Sequence, residues 1–200
     1  MPRVLAALRA ADGAVHGTGA RRAAPALEAL GRTVLGNLAF VLPRGAAVRI
    51  GDALAARVDR PLLSEARAAA ATLAAFLHAP VPHVGERVAR PLQTQLCAAV
   101  AACVRRPAPA GALLVAALRL SALVQACPGT LPDYVPPAVN AALVLMRVAH
   151  DETTRTILRK ALANFWDGHK LWWHTEYAAH FSEEDADELR FMCGNNHYFA

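Results

Sequence analysis

An all-α fold of stacked helix pairs is what this sequence predicts, and three observations predict it. Alanine dominates, runs of β-branched residues are few, and apolar positions recur at spacings of three and four. Proline and glycine interrupt this pattern at intervals, so the helices end and turn back rather than run on. With 200 residues, of which 55% are hydrophobic, the chain can bury a sizeable core.

The elements follow in order. Residues 2–11 form a first helical piece, and Gly13 through Gly19 read as a loop. Pro25 suits the first turn of a helix carrying Leu27, Leu30, Val34, Leu38 and Val41, stopped at Pro43. Val48–Val58 and Leu62–Leu77 make the next pair, broken around Asp59-Arg60-Pro61 and ended by Ala79-Pro80-Val81-Pro82. Val84–Val104 follows, with Pro91 as a kink or a boundary between two shorter helices. After Pro107-Ala108-Pro109, a helix from Ala112 to Gln125 aligns Leu113, Ala116, Ala117, Leu120 and Val124 on one stripe. The run Cys127 to Pro132 breaks it. Pro136-Pro137 opens a helix with Val139, Leu143 and Met146 inward, and Asp151 opens one whose stripe is Leu158, Leu162, Phe165 and Trp166. Pairs of about forty residues have the period of HEAT or armadillo arrays, although a compact bundle shows similar stripes. Residues 1–110 read as generic HEAT-like repeats and residues 111–200 as a separate C-terminal helical region.

Ser182-Glu183-Glu184-Asp185 is a helix start, a serine cap followed by acids that suit the positive end of the helix dipole. The last helix runs to about Cys193 and packs through Ala186, Leu189 and Met192. Gly194 and the polar residues after it stop the helix and release a tail, Tyr198-Phe199-Ala200. Such a tail offers a partner's pocket aromatic area and an α-carboxylate that a lysine or backbone N–H groups can pair.

Several function classes are disfavoured by composition and motif. Every long apolar stretch is interrupted by arginine, proline or a polar residue, so no transmembrane helix and no membrane partner is expected. The start lacks the apolar core of a secretory signal. Cys97, Cys103, Cys127 and Cys193 share no CxxC spacing and read as small hydrophobes in a reducing compartment. Residues 1–110 carry 14 Lys+Arg against 6 Asp+Glu, whereas residues 111–200 carry 7 against 10. The arginines of the basic half have no interleaved aromatics, so they read as a solvated helix face rather than a nucleic-acid surface. His169, His174, His180 and Cys193 match no zinc spacing, and no metal or other cofactor is expected. Trp166, Trp172 and Trp173 read as filling between the last helices, and Asp185, Asp187 and Glu188 as a solvated face. No phosphate loop, nucleophile elbow or triad is present, which disfavours an enzyme.

The last segments resemble the C-terminus of the large HEAT-repeat proteasome activators, the family of proteasome activator complex subunit four and Blm-ten. The likeness rests on Asn164-Phe165, His169, Trp173, Phe181-Ser182-Glu183-Glu184, Leu189 and the final Tyr198-Phe199-Ala200, where the family ends Tyr-Tyr-Ala. Leu120-Ser121-Ala122-Leu123 and Leu131 through Pro136 resemble the family's penultimate repeat. Full-length members are several times longer, so the chain looks like the terminal portion of such a dome. The resemblance implies ATP- and ubiquitin-independent binding to α-subunits at the end of the twenty-S proteasome core particle. In that reading Tyr198, Phe199 and Ala200 enter a pocket between adjacent α-subunits, and Ser182, Leu189 and Gly194 support the tail. The family's association with the nucleus and cytoplasm, with acetylated histones and with DNA repair extends the same expectation. Phe199 departs from the family's penultimate tyrosine and lacks its hydroxyl. The alternative reading is a helical scaffold that takes a protein partner in its groove.

Overall fold

The computed structural model describes residues 44–59, 62–78 and 84–194, and among them every regular element is helical. The expected helices at 2–11 and from Pro25 to Pro43, the loop from Gly13 to Gly19, and the tail 195–200 lie outside the described residues. So do Arg60 and Pro61 and all of the break Ala79-Pro80-Val81-Pro82.

The α-helices are α1 (Arg44–Arg57), α2 (Leu63–Leu77), α3 (Arg90–Arg105), α4 (Ala110–Val124), α5 (Val135–Val148), α6 (Glu152–His169) and α7 (Glu183–Gly194). Consecutive members pack as the pairs α1/α2, α3/α4 and α5/α6, and the pairs stack on one another. In one layer α4 lies against α2 on one side and α6 on the other, and in the second layer α3 lies against α5. This is the helix-pair solenoid that the periodicity predicts.

Local chemistry accounts for the boundaries. Proline has no N–H to continue an i to i−4 ladder, and Pro91 marks where winding changes: Gly85–Ala89 is a wide π-helical turn and regular α3 begins at Arg90. Pro91 is therefore a boundary rather than a kink inside a continuous α-helix. Pro136 and Pro137 occupy the first turn of α5, where the missing donors cost nothing. Asp151 caps α6, its Oδ1 accepting from the Thr154 N–H at 2.7 Å. Gly51 in α1 faces Val88 so closely that a Cβ there would collide with the valine side chain.

The core runs continuously from α1 to α7. Leu113, Ala117, Leu120 and Val124 of α4 are buried as the stripe predicts, with Ala116 half-buried. Val139 and Leu143 of α5 and Leu158, Leu162 and Phe165 of α6 are buried too, while Met146 and Trp166 pack at its edge. Each buried leucine or valine contributes about 1.5–3 kcal/mol relative to exposure.

Candidate functional site: the C-terminal stem

Between α6 and α7 the chain winds through a 3-10 turn (Lys170–Trp172), a π turn (Trp173–Tyr177) and a second 3-10 turn (Ala178–His180). The changes of pitch turn a short aromatic-rich segment inward at two points. Trp173, fully buried, stacks on Phe181 at 5.2 Å between ring centroids and meets Phe165 edge-on at 6.5 Å. Trp166 closes on Trp173 at 4.9 Å, and His169 stacks on Phe165 at 4.3 Å and meets Tyr177 edge-on at 5.0 Å. Ring pairs of this kind add about 0.5–1.5 kcal/mol each beyond the area they bury.

This aromatic plug is tied to the loop between α4 and α5. The Tyr177 hydroxyl donates to the Gly129 carbonyl at 3.1 Å, and His169 Nε2 lies 3.0 Å from the Thr130 carbonyl oxygen. His169 Nδ1 lies 2.7 Å from the Phe165 carbonyl oxygen, so whichever ring nitrogen carries the proton donates it to the backbone. Gly129 has φ 77, a left-handed conformation that leaves these carbonyls facing the plug. Asn164 Nδ2 donates to Gln125 Oε1 at 2.9 Å, a second tie between α6 and the end of α4. Within the loop the Cys127 thiol lies 3.2 Å from the Tyr134 hydroxyl, and burial pushes both groups' pKa values up.

Helix α7 is the stem itself. Ser182 accepts from the Asp185 N–H at 3.2 Å and donates its hydroxyl to Asp185 Oδ2 at 2.8 Å, a reciprocal cap. Leu189 is fully buried and Ala186 nearly so, and Met192 packs against the core, as the helix pattern predicts. Gly194 is the last described residue and ends α7. Tyr198, Phe199 and Ala200 lie outside the described residues.

Sequence reading missed two arrangements. Asp185 and Glu188 are not simply a solvated face: Arg147, at the end of α5, bonds Glu188 through two contacts and reaches Asp185 at 3.5 Å. The bond to Glu188 is the main reason the Arg147 guanidinium is held still more firmly protonated. Asp187, in contrast, pairs with its surface neighbour Arg190 at 3.0 Å. Trp172 does not fill the groove with its neighbours. It is 56% exposed and the adjacent Leu171 86%, because Trp173 takes the inward position and consecutive positions on a helix point in different directions. Pairing of Arg147 with acids so far along the chain leaves no local signal, whereas the Trp172-Trp173 doublet could have been split by asking which ring the helical turn brings to Phe165.

The profile of the family described as "Proteasome activator complex subunit 4-like, C-terminal" matches residues 112–200. Residues 112–200, somewhat less than half of the chain, are similar to that family. Comparison with curated proteins and with solved structures gave no match. The likeness relates residues 112–200 to proteasome activators. Among the described residues that carried the resemblance, Phe165, His169, Trp173 and Phe181 form one plug, Ser182 caps the stem, and Leu189 anchors it. Among the described residues, no group of three or more His, Cys, Asp or Glu is placed to hold a metal ion, and no helix is long and apolar enough to cross a membrane.

Proposed function

We propose that this chain docks on the end of the twenty-S proteasome core particle through Tyr198-Phe199-Ala200 and promotes gate opening without ATP or ubiquitin. The observation that carries the reading is the family match, which extends through residue 200 and so includes the tail. A stem capped at Ser182, anchored at Leu189 and held to α5 by Arg147 supports it, because a fixed exit point reduces the entropy lost when a short tail enters a pocket. Ala200 supplies the carboxylate for a pocket lysine, Phe199 the penultimate ring, and Tyr198 the hydrophobic contact.

Phenylalanine at 199 lacks a hydroxyl that would hydrogen-bond the gate-proximal backbone. The loss costs about 0.5–1.5 kcal/mol, and up to about 3 if the partner is left buried and unpaired. Docking then survives while gate opening weakens. Localisation to nucleus and cytoplasm, and contact with acetylated histones, belong to the same proposal.

Fluorogenic peptide hydrolysis by purified core particle tests it, with the natural chain compared against deletion of residues 198–200, C-terminal amidation and Phe199→Tyr. Stimulation or competitive docking by the natural chain should vanish on deletion or amidation, and Phe199→Tyr should open the gate more fully. Binding that persists without the tail would overturn the reading.

A further inference from the structure

A cleft of about 630 Å³ runs along α4 between α2 and α6, on the opposite side of α6's sequence from the plug, using that helix's first half. Its lining is mostly small and apolar, with Ala71, Leu118 and Ile157 on the three helices. Arg67 on the α2 wall and Lys160 on the α6 wall are exposed and form no ion pair among the described residues, and the described lining contains no Asp or Glu. Other polar groups at the rim are already engaged: His78 Nδ1 lies 2.7 Å from the Ala126 carbonyl oxygen, and Gln125 bonds Ser121 and Asn164.

We propose that this cleft binds an extended acidic peptide, with an aliphatic side chain on the alanine-leucine floor and a carboxylate on each wall. Charge complementarity selects the occupant: a cation stands on each wall of an apolar floor, with no acid among the described lining to repel or compete. Width selects its conformation. Packed helices lie about 8–10 Å apart, which puts the α2 and α6 axes about 16–20 Å from each other across α4. Subtracting the two flanking helix radii leaves about 4–10 Å, room for an extended chain but tight for a second helix of about 10–12 Å diameter. The guanidinium of Arg67 can take a carboxylate bidentately, and the Lys160 ammonium can take the other as a point charge. Nucleic acid fits less well, since among the described residues no Phe, Tyr or Trp lines the cleft to stack on a base and the His78 imidazole is held on the Ala126 carbonyl. No residue of the α7 stem is among the described lining, and the proposal does not depend on proteasome docking.

Fluorescence polarisation of the full chain with a labelled peptide of Glu, Leu and Ala tests this, beside the same peptide with Gln for Glu and a labelled oligothymidine. Binding of the Glu peptide should weaken about tenfold or more in Arg67→Ser/Lys160→Ser and in Ala71→Phe, which fills the cleft without changing charge. The Gln peptide should bind as weakly as these variants do. Circular dichroism melting checks that the variants fold; if Ala71→Phe does not, the doubly substituted chain, altered only at exposed positions, decides alone. Equal binding by wild type and that variant, no binding of the Glu peptide, or tighter binding of the oligonucleotide would each overturn the proposal. So would a dimer in sedimentation that Ala71→Phe abolishes, which would assign the cleft to a second copy.

Discussion

At the scale of single residues, backbone conformation and proton affinity decide the outcomes. Gly129 sits at φ 77, where an L side chain is strained, so Gly129→Ala should cost about 1–2 kcal/mol in urea denaturation although nothing blocks the added Cβ. Ser182→Ala removes the only side-chain acceptor seen for the Asp185 N–H and should cost about 0.5–2 kcal/mol, with faster amide exchange confined first to α7. Burial pushes the Cys193 thiol up to about 11 from 9.0, with Asp167 adding to the effect. At pH 8 its thiolate fraction is then about a hundredfold below that of an ordinary thiol, and maleimide labelling should be slow until the pH is strongly alkaline. The sign for stability follows: above pH 9 the unfolded chain releases this proton more readily than the folded one, so stability should fall as pH rises from 9 towards 11. A Cys193→Ala chain that shows the same alkaline slope would remove the thiol as its cause.

At the scale of elements, α7 is held by one apolar contact set and one ionic clamp, and the two should separate experimentally. Trp173→Ala empties the centre of the plug and should cost about 3–5 kcal/mol, with loss of near-ultraviolet dichroism. Arg147→Ala should cost only about 0.5–1 kcal/mol, since the guanidinium is partly exposed and screened, and the loss should shrink in high salt. The cap of α7 was legible because a serine followed by acids is a local signal, and the stripes of α4, α5 and α6 were legible because helical period is local too. The partners of the acids were not, since Arg147 lies 41 residues from Glu188 in sequence. The wide turn at Gly85–Ala89 was half legible: Pro91 announced a discontinuity without specifying its winding.

At the scale of the whole molecule, the proposed function gives stem and tail different duties. Deleting residues 198–200 should leave the melting temperature unchanged while abolishing association with the core particle in sedimentation, whereas Trp173→Ala should lower both. Unchanged association after the deletion would locate docking elsewhere on the chain. The sequence by itself determined the all-α class, most helix ends and the likeness of residues 112–200 to the family, because periodicity, caps, prolines and motif residues are written over short stretches of chain. Only the tertiary structure decided that Phe165, His169, Trp173, Tyr177 and Phe181 meet over the Gly129-Thr130 carbonyls, that Trp172 turns outward, and that α2, α4 and α6 leave a cleft with a cation on each wall. These depend on how pairs of helices stack, and stacking is settled by shape and burial among residues that are distant along the chain.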